Sequence, residues 1–169
     1  MGEITEEIIE LYTEEGEPSG TTIRRGEAAT DGLLFPVVCV WVRDEKGRFL
    51  VTLRSKAKKA SPLKWENPGG ACRQGETLAE GAARELFEET GIQAAPEELR
   101  LVSSMIQYGC LVLTYSFHTD RKKVVLQEGE TEAYKWVSER ELFWMLGRRK
   151  FAEPIEKQIR HYRRELPTF

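Results

Sequence analysis

Apolar and polar positions follow two periods along this chain, and these periods predict a mixture of strands and helices. Residues 33–42 (LLFPVVCVWV) are almost all apolar and rich in β-branched side chains, which is typical of a strand buried on both faces. A DEKG turn at 44–47 leads to residues 49–54 (FLVTLR), so a second strand is predicted to return beside the first. Two more strands are predicted at residues 99–106 and 111–118, the latter from its alternating pattern.

Three segments carry the signals of helices. The TLAE sequence at 77–80 has the form of a capping box and Gly91 can end a helix in the left-handed conformation, so a helix is predicted over about 78–90. Its apolar residues should face a core and its acids a cleft. A second capping box, SERE, starts a helix at Ser138, and an apolar stripe predicts a last helix over about 154–165.

The N-terminal part of the chain is less clearly patterned. Residues 4–12 fit either a short helix or a first strand, residues 16–20 (GEPSG) form a turn region, and residues 21–25 are extended. We expect residues 1–32 to be an extension that packs on a single domain formed by residues 33–169.

Two short segments complete the prediction of the fold. Residues 123–126 are expected to extend or pair with the preceding strands, and residues 133–137 form a short strand before the second helix. Strands with helices on both sides, some of them linked by hairpins, indicate an α+β fold with a mixed sheet sandwiched between helices.

Composition excludes several classes of protein. Apolar residues make up 40% of the 169 residues and charged residues 31%, which is ordinary for a soluble globular protein. The net charge of −3 and the lack of a basic run exclude a long nucleic acid as partner. There is no basic leader followed by an apolar run and no apolar stretch of about 20 residues, so we expect a cytoplasmic protein that does not enter a membrane.

The candidate chemistry lies on the first predicted helix. Glu85, Glu88 and Glu89 are spaced as i, i+3 and i+4, so their carboxylates project from one side of the helix. Like charges at this spacing repel one another, and a bound cation relieves that repulsion. Mg²⁺ and Mn²⁺ are the candidates because both prefer carboxylate oxygen ligands.

The surrounding residues resemble the signature of the Nudix (MutT-like) hydrolases. That signature reads G-x5-E-x7-R-E-U-x-E-E-x-G-U, where U is a bulky aliphatic residue. All nine of its positions are filled here, by Gly70, Glu76, Arg84, Glu85, Leu86, Glu88, Glu89, Gly91 and Ile92. The resemblance implies an α/β/α sandwich and the hydrolysis of a small-molecule diphosphate at its P–O–P linkage.

The same resemblance implies roles for individual residues. Glu85, Glu88 and Glu89 would bind Mg²⁺ or Mn²⁺, which lowers the pKa of a bound water. The general base would be Glu88, Glu89 or a residue of a later loop, for which Glu128, Glu130 and Glu132 stay open. Arg54, Gly69 and Gly70 are the candidate substrate-binding residues, although a solvated loop for Arg54 and backbone constraints for the glycines are the simpler interpretations. An ion pair between Glu76 and Arg84 would orient the loop against the helix.

The N-terminal half also resembles the isopentenyl-diphosphate isomerase branch of the same superfamily. That branch needs a cysteine directly before the first glycine of the signature and a histidine directly after it. Gly69 and Ala71 occupy those positions here, so isomerase chemistry is excluded and the resemblance is one of architecture. A domain that binds a nucleotide-like ligand without turnover is the other alternative. A homodimer is possible, and the substrate stays open.

Several residues are expected to be structural. His118 and His161 are isolated, and Cys72 has no nearby histidine to activate it, so all three are predicted to be chemically inert. The aromatic residues Phe35, Trp41, Tyr108 and Trp144 are predicted to lie in the core.

Overall fold

The computed structural model describes residues 7–120 and 123–163. Residues 4–6 and 164–165, which the predicted first and last elements include, lie outside the described residues. In chain order, the strands are Ile8–Tyr12 (β1), Pro18–Arg24 (β2), Phe35–Asp44 (β3), Phe49–Arg54 (β4), Trp65–Glu66 (β5), Gly69–Ala71 (β6), Arg100–Gln107 (β7), Cys110–Thr119 (β8) and Thr131–Val137 (β9). The helices are Leu78–Thr90 (α1), Glu139–Gly147 (α2) and Glu153–His161 (α3), with a 3₁₀ turn at Pro96–Glu98.

Seven strands form one mixed sheet around β3. Its main path runs β5-β4-β3-β8-β7, while β6 pairs with β3 and β9 pairs with β4. Strands β3 and β8 are parallel from Phe35–Cys110 to Asp44–Thr119, and the other pairings are antiparallel. The predicted mixed sheet is therefore confirmed.

Helices cover both faces of this sheet. Ala82 and Leu86 of α1 pack with Val38, Val40 and Val42 of β3 in one buried cluster. On the opposite face, Trp41 joins a second cluster with residues of α2 and α3, among them Leu142, Met145, Ile155 and Ile159. Strand β3 is thus buried on both faces, as its apolar run predicts, and the predicted sandwich is confirmed.

Local capping sets the ends of α1 at the predicted residues. The Thr77 hydroxyl accepts a hydrogen bond from the Glu80 N–H at 3.2 Å, and the Glu80 carboxylate accepts one from the Thr77 N–H at 2.7 Å. Gly91 ends the helix with φ of 69°, a left-handed conformation that glycine adopts without steric cost. Both ends depend on residues adjacent in sequence, which explains why the prediction succeeds.

The structure decides or corrects three predictions elsewhere. Residues 8–12 form a strand, and β2 begins at Pro18, so the predicted turn region is shorter than expected. Residues 123–126 form no strand and run past the end of α1, where the Val125 N–H donates to the Thr90 carbonyl at 2.8 Å. This segment therefore donates a backbone hydrogen bond to the C-terminal end of α1 instead of pairing with an edge of the sheet.

Two of the aromatic residues predicted to lie in the core are exposed. Trp41 is fully buried and Phe35 is half-buried, whereas Tyr108 and Trp144 are 58% and 56% exposed. Tyr108 follows β7 in the turn to β8, and its φ of 52° belongs to that tight turn. Trp144 lies on the outer side of α2 beneath the guanidinium of Arg148. An aromatic side chain alone does not show which side of an element it occupies.

The β1–β2 hairpin lies against the sheet and the loop before α1. Tyr12 and Leu34 exchange two backbone hydrogen bonds of 2.9 and 2.8 Å, and the Gln74 N–H donates to the Ile8 carbonyl at 2.8 Å. The division of the chain at residue 33 stays a prediction. In the described part of the chain, every helix is too short or too polar to cross a bilayer.

Candidate active site

Helix α1 presents three carboxylates to one large cavity. Glu85, Glu88 and Glu89 all line this cavity, whose volume is about 680 Å³. Glu66, at the end of β5, supplies a fourth carboxylate to the same wall. The predicted convergence of the helix acids on a cleft is thus what the structure shows, because residues three and four apart share one side of a helix.

The Arg84 guanidinium binds this acidic group from one side. It forms two bonds to the Glu76 carboxylate, of 2.6 and 2.9 Å, and a third of 2.9 Å to the Ala71 carbonyl. It also lies 2.7 Å from the Glu85 carboxylate and 3.2 Å from that of Glu88. The expected ion pair between Glu76 and Arg84 is present, and it fixes the loop against the helix.

The negative charge of the Glu89 carboxylate is less well compensated than the charges that Arg84 contacts. This carboxylate accepts a hydrogen bond from the Gly69 N–H at 3.2 Å. Burial, with repulsion from Glu66 and Glu85, raises its pKa well above the usual value. Burial likewise raises the pKa of Glu85, although Arg84 opposes that shift. Carboxylates held this close in a partly dry cavity favour a cation or a proton.

The residues present fit a divalent cation, although they do not form a finished binding cluster. Within residues 7–120 and 123–163, no three acidic, histidine or cysteine side chains already converge as metal ligands. Instead Glu85 and Glu88 contact Arg84, and Glu88 also contacts Arg73 at 3.3 Å. Carboxylate oxygens are the donors that Mg²⁺ and Mn²⁺ take, and Gly70 leaves space beside the Glu85 carboxylate.

Basic side chains line the other walls of the cavity. Arg54 donates to Glu66 at 2.7 Å, and Lys58 forms an ion pair with Glu130. Arg25 and Arg73 both bind Glu7, which brings the start of the β1–β2 hairpin to the cavity. Side chains of this kind can donate hydrogen bonds to the phosphate oxygens of a diphosphate, and four of them line the cavity: Arg25, Arg54, Lys58 and Arg73.

The three candidate acids of the loop before Trp136 differ in their position relative to the cavity. Glu130 lines the cavity, whereas the exposed Glu128 and Glu132 are absent from its wall. The Glu132 carboxylate accepts from the Ser55 hydroxyl at 3.2 Å and from the Lys56 N–H at 3.1 Å. These hydrogen bonds from Lys56 and Ser55 lower the pKa of Glu132. Its contacts are those of a loop anchor.

Gly69 and Gly70 lie in β6, which pairs with β3 and faces α1. A Cβ atom at Gly69 would collide with the Val38 carbonyl oxygen, and one at Gly70 would collide with the Glu85 carboxylate. Gly69 therefore meets a backbone constraint, while Gly70 leaves room for an acid of the cavity. Cys72 is buried, and burial raises the pKa of its thiol to about 12, which agrees with the expected inert role.

Sequence reasoning missed several residues of this cavity. Glu66, Asn67 and Arg73 lie outside the spacing of the helix acids, and Glu7 is more than 60 positions from its partner Arg73. Their position depends on the pairing of β5 with β4, on the pairing of β6 with β3, and on the docking of the hairpin. The available signal was the polar pair Glu66 and Asn67, directly before Pro68 and Gly69.

A family model of the NUDIX domain matches residues 33–162. The chain belongs to the Nudix family. An uncharacterized Nudix hydrolase of Listeria monocytogenes is 38% identical over 84 residues, which cover 49% of this chain and 50% of that protein. An isopentenyl-diphosphate Delta-isomerase of Corynebacterium diphtheriae is 30% identical over 112 residues, covering 66% of this chain and 57% of the isomerase. The chain therefore spans about half the length of the curated relatives it matches.

A solved structure shares the fold of this chain. The crystal structure of DR0079 from Deinococcus radiodurans superposes with a TM-score of 0.76 at 21% identity, covering 92% of this chain and 98% of that one. At this identity the likeness concerns the fold alone. The Nudix box of the present chain is the segment from Gly70 to Ile92, and it forms the loop before α1, the helix and its cap.

Proposed function

We propose that this Nudix protein is a metal-dependent pyrophosphohydrolase that cleaves the P–O–P linkage of a small-molecule diphosphate. The observation that carries the proposal is the arrangement of Glu85, Glu88 and Glu89 in one cavity with four basic side chains. Carboxylates on one wall suit a divalent cation, and cations on the others suit the phosphate oxygens. A homodimer and a cytoplasmic location stay predictions.

Glu85, Glu88 and Glu89 would hold Mg²⁺ or Mn²⁺. When bound, such an ion neutralises phosphate charge and lowers the pKa of a water molecule. Arg54 and Lys58 would orient the diphosphate, while Gly70 leaves room for the Glu85 carboxylate. The proton of the attacking water would pass to Glu89 or to Glu130, which both line the cavity.

A substrate panel tests this function. The panel contains ADP-ribose, nucleoside triphosphates, a dinucleoside polyphosphate, a sugar nucleotide and a non-nucleotide diphosphate, each with Mg²⁺, Mn²⁺ or EDTA. We expect metal-dependent release of phosphate, pyrophosphate or a nucleoside monophosphate. Reaction in ¹⁸O-labelled water would show by mass spectrometry which phosphorus is attacked.

Matched variants connect that activity to the cavity. Glu88→Gln should lower kcat by about 10²–10⁴-fold, because it removes a metal-binding charge. Glu97→Gln changes an exposed acid of the 3₁₀ turn and should keep the wild-type rate. If no panel member is hydrolysed while a diphosphate still binds, the protein is a sensor and the proposal fails.

A further inference from the structure

The β1–β2 hairpin brings a carboxylate into the cavity from outside the matched domain. Glu7, the residue before β1, lines the cavity together with Glu88 of α1. The NUDIX model matches residues 33–162, so Glu7 belongs to a segment that precedes the match. Its side chain is 20% exposed, which places it at the cavity wall and not in bulk water. The hairpin therefore adds a negative charge to those of the acids on α1.

Arg73 connects this acid to the candidate metal site. Its guanidinium donates from Nε and Nη2 to the Glu7 Oε1 atom, at 3.0 and 2.6 Å. Its third nitrogen, Nη1, lies 3.3 Å from the Glu88 Oε1 atom. The Arg73 N–H donates to the Glu76 carboxylate at 2.9 Å, which fixes the backbone from which this side chain extends. One arginine is thus shared between the hairpin and α1.

The distances show which of the two acids holds Arg73. Hydrogen bonds between a guanidinium and a carboxylate are usually about 2.7–2.9 Å long. The Glu7 carboxylate receives two bonds from Arg73, one of them this short, whereas Glu88 receives a single long contact. The other oxygen of Glu88 is also 3.2 Å from its partner, Arg84. Neither arginine binds Glu88 tightly, and its carboxylate therefore stays available to the cavity.

Other contacts hold Glu7 in this position. Arg25 forms an ion pair with the Oε2 atom of Glu7, which leaves Oε1 to Arg73. The Arg25 N–H also donates to the Glu7 carbonyl at 2.9 Å. Ile9 and Leu11 of β1 are fully buried, so the hairpin has anchors that do not depend on the charge of Glu7. A change of that charge can therefore be made without removing the hairpin.

We infer that Glu7 is a positioning residue for the metal-binding helix: it holds Arg73 away from Glu88 and so keeps the Glu88 carboxylate available to a divalent cation. Without the charge of Glu7, Arg73 forms its short bonds with Glu88 instead, since it already contacts that carboxylate. A guanidinium in that place covers the carboxylate and repels a second cation. The inference rests on the proposed function, which makes Glu88 a metal ligand.

Metal binding in the absence of substrate tests the inference. Mn²⁺ is titrated into the protein at constant ionic strength, and free Mn²⁺ is measured by electron paramagnetic resonance with Mg²⁺ as competitor. Glu7→Gln should weaken Mn²⁺ binding about 3–10-fold, because Arg73 moves onto Glu88. Arg73→Gln should bind Mn²⁺ at least as tightly as the wild type, because the guanidinium is gone. The double variant should bind within about twofold of Arg73→Gln, because Glu7 acts through Arg73.

The opposite directions separate positioning from a role in docking the hairpin. Both single variants break the ion pair between Glu7 and Arg73, so a docking role would lower the Mn²⁺ affinity in both. Urea denaturation measures the cost of the lost pair, which should be similar in the two variants. Glu10→Gln removes a charge of the same hairpin outside the cavity wall, and Arg140→Gln removes an exposed charge of α2. Both controls should bind Mn²⁺ within about twofold of the wild type.

Three results would overturn the inference. The first is unchanged Mn²⁺ binding in Glu7→Gln, and the second is a double variant that binds as weakly as Glu7→Gln. The third is Mn²⁺ binding by Glu88→Gln that is as tight as in the wild type, because Glu88 is then no ligand. The proposed hydrolase function fails separately, through the absence of turnover in the substrate panel.

Discussion

A Cβ atom added to Gly70 would lie 2.5 Å from Cδ of Glu85, so this glycine and this carboxylate share one space in the cavity. The obstacle at Gly70 is the far end of a side chain that can rotate away. At the neighbouring Gly69 the obstacle is backbone, with Cα of Cys39 only 2.8 Å from the added atom. Adjacent glycines of the same strand therefore serve different purposes.

This difference predicts opposite results for two alanine variants. Gly70→Ala should fold with nearly wild-type stability but lose about 10–100-fold in kcat/KM, since the displaced Glu85 carboxylate supports the cation less well. Gly69→Ala should be destabilised by about 1–3 kcal/mol, because the strand must move away from β3. Urea denaturation and steady-state kinetics measure the two effects. Equal loss of stability in both variants would contradict this assignment.

Glu76 and Arg84 should be strongly coupled. Their side chains are 22% and 16% exposed, and two bonds of 2.6 and 2.9 Å join them. In a double-mutant cycle of Glu76→Gln and Arg84→Gln, we expect an interaction free energy of about 0.5–3 kcal/mol. The exposed pair Glu153 and Lys157 is the control and should give a much smaller interaction free energy. Equal interaction free energies for the two pairs would contradict a structural role for the pair of Glu76 and Arg84.

Mg²⁺ should stabilise the folded protein. An ion present at 100 times its Kd contributes about 2.7 kcal/mol, which corresponds to a rise in Tm of about 5–10 °C for a chain of this size. Differential scanning fluorimetry with MgCl₂, EDTA and NaCl of equal ionic strength measures the shift. Glu88→Gln should reduce it and Glu97→Gln should keep it. A Tm that responds to ionic strength alone would count against a metal site.

Glu130 and Glu132 should differ in their effect on turnover. If Glu130 accepts the proton, Glu130→Gln lowers kcat by about 10²–10⁴-fold. Glu132→Gln should keep most of the activity, because its contacts to Ser55 and Lys56 lie outside the cavity. If Glu130→Gln keeps the wild-type kcat, Glu89 is left as the base. A large loss of kcat in Glu132→Gln would contradict the position of Glu132 outside the cavity.

Asp44 should make stability depend on pH. Burial acts to raise its pKa, but hydrogen bonds from the Arg48 side chain and from the N–H groups of Arg48 and Lys46 outweigh burial and lower it. Because the folded pKa is the lower one, the stabilisation is present above about pH 4 and is lost as pH falls through the folded value. Asp44→Asn should cost about 1–3 kcal/mol at pH 7.

Urea denaturation of wild type and Asp44→Asn across pH 2–7, the range over which Asp titrates, measures this contribution. The difference between the two proteins should shrink towards the acid end. Asp31→Asn, at an exposed turn position, should change stability by less than about 0.5 kcal/mol throughout. A difference that stays constant with pH would exclude the charge of Asp44 as its source.

Local signals explain what could be predicted from the sequence. Thr77, Glu80 and Gly91 define the ends of α1 through contacts within four residues, and helical spacing alone brings Glu85 and Glu89 together. Long-range packing explains what could not. Glu7 reaches the cavity only because the hairpin docks on the loop of Arg73, and no sequence period encodes that contact.

One guanidinium, that of Arg84, contacts the carboxylates of Glu76, Glu85 and Glu88 together. This arginine acts as a built-in counter-ion for the Nudix helix. We therefore expect the chain to fold without a divalent ion, unlike small zinc domains whose folding requires the metal. In the proposed hydrolase, an incoming cation would compete with Arg84 for the same oxygens, so metal loading would exchange one positive partner for another.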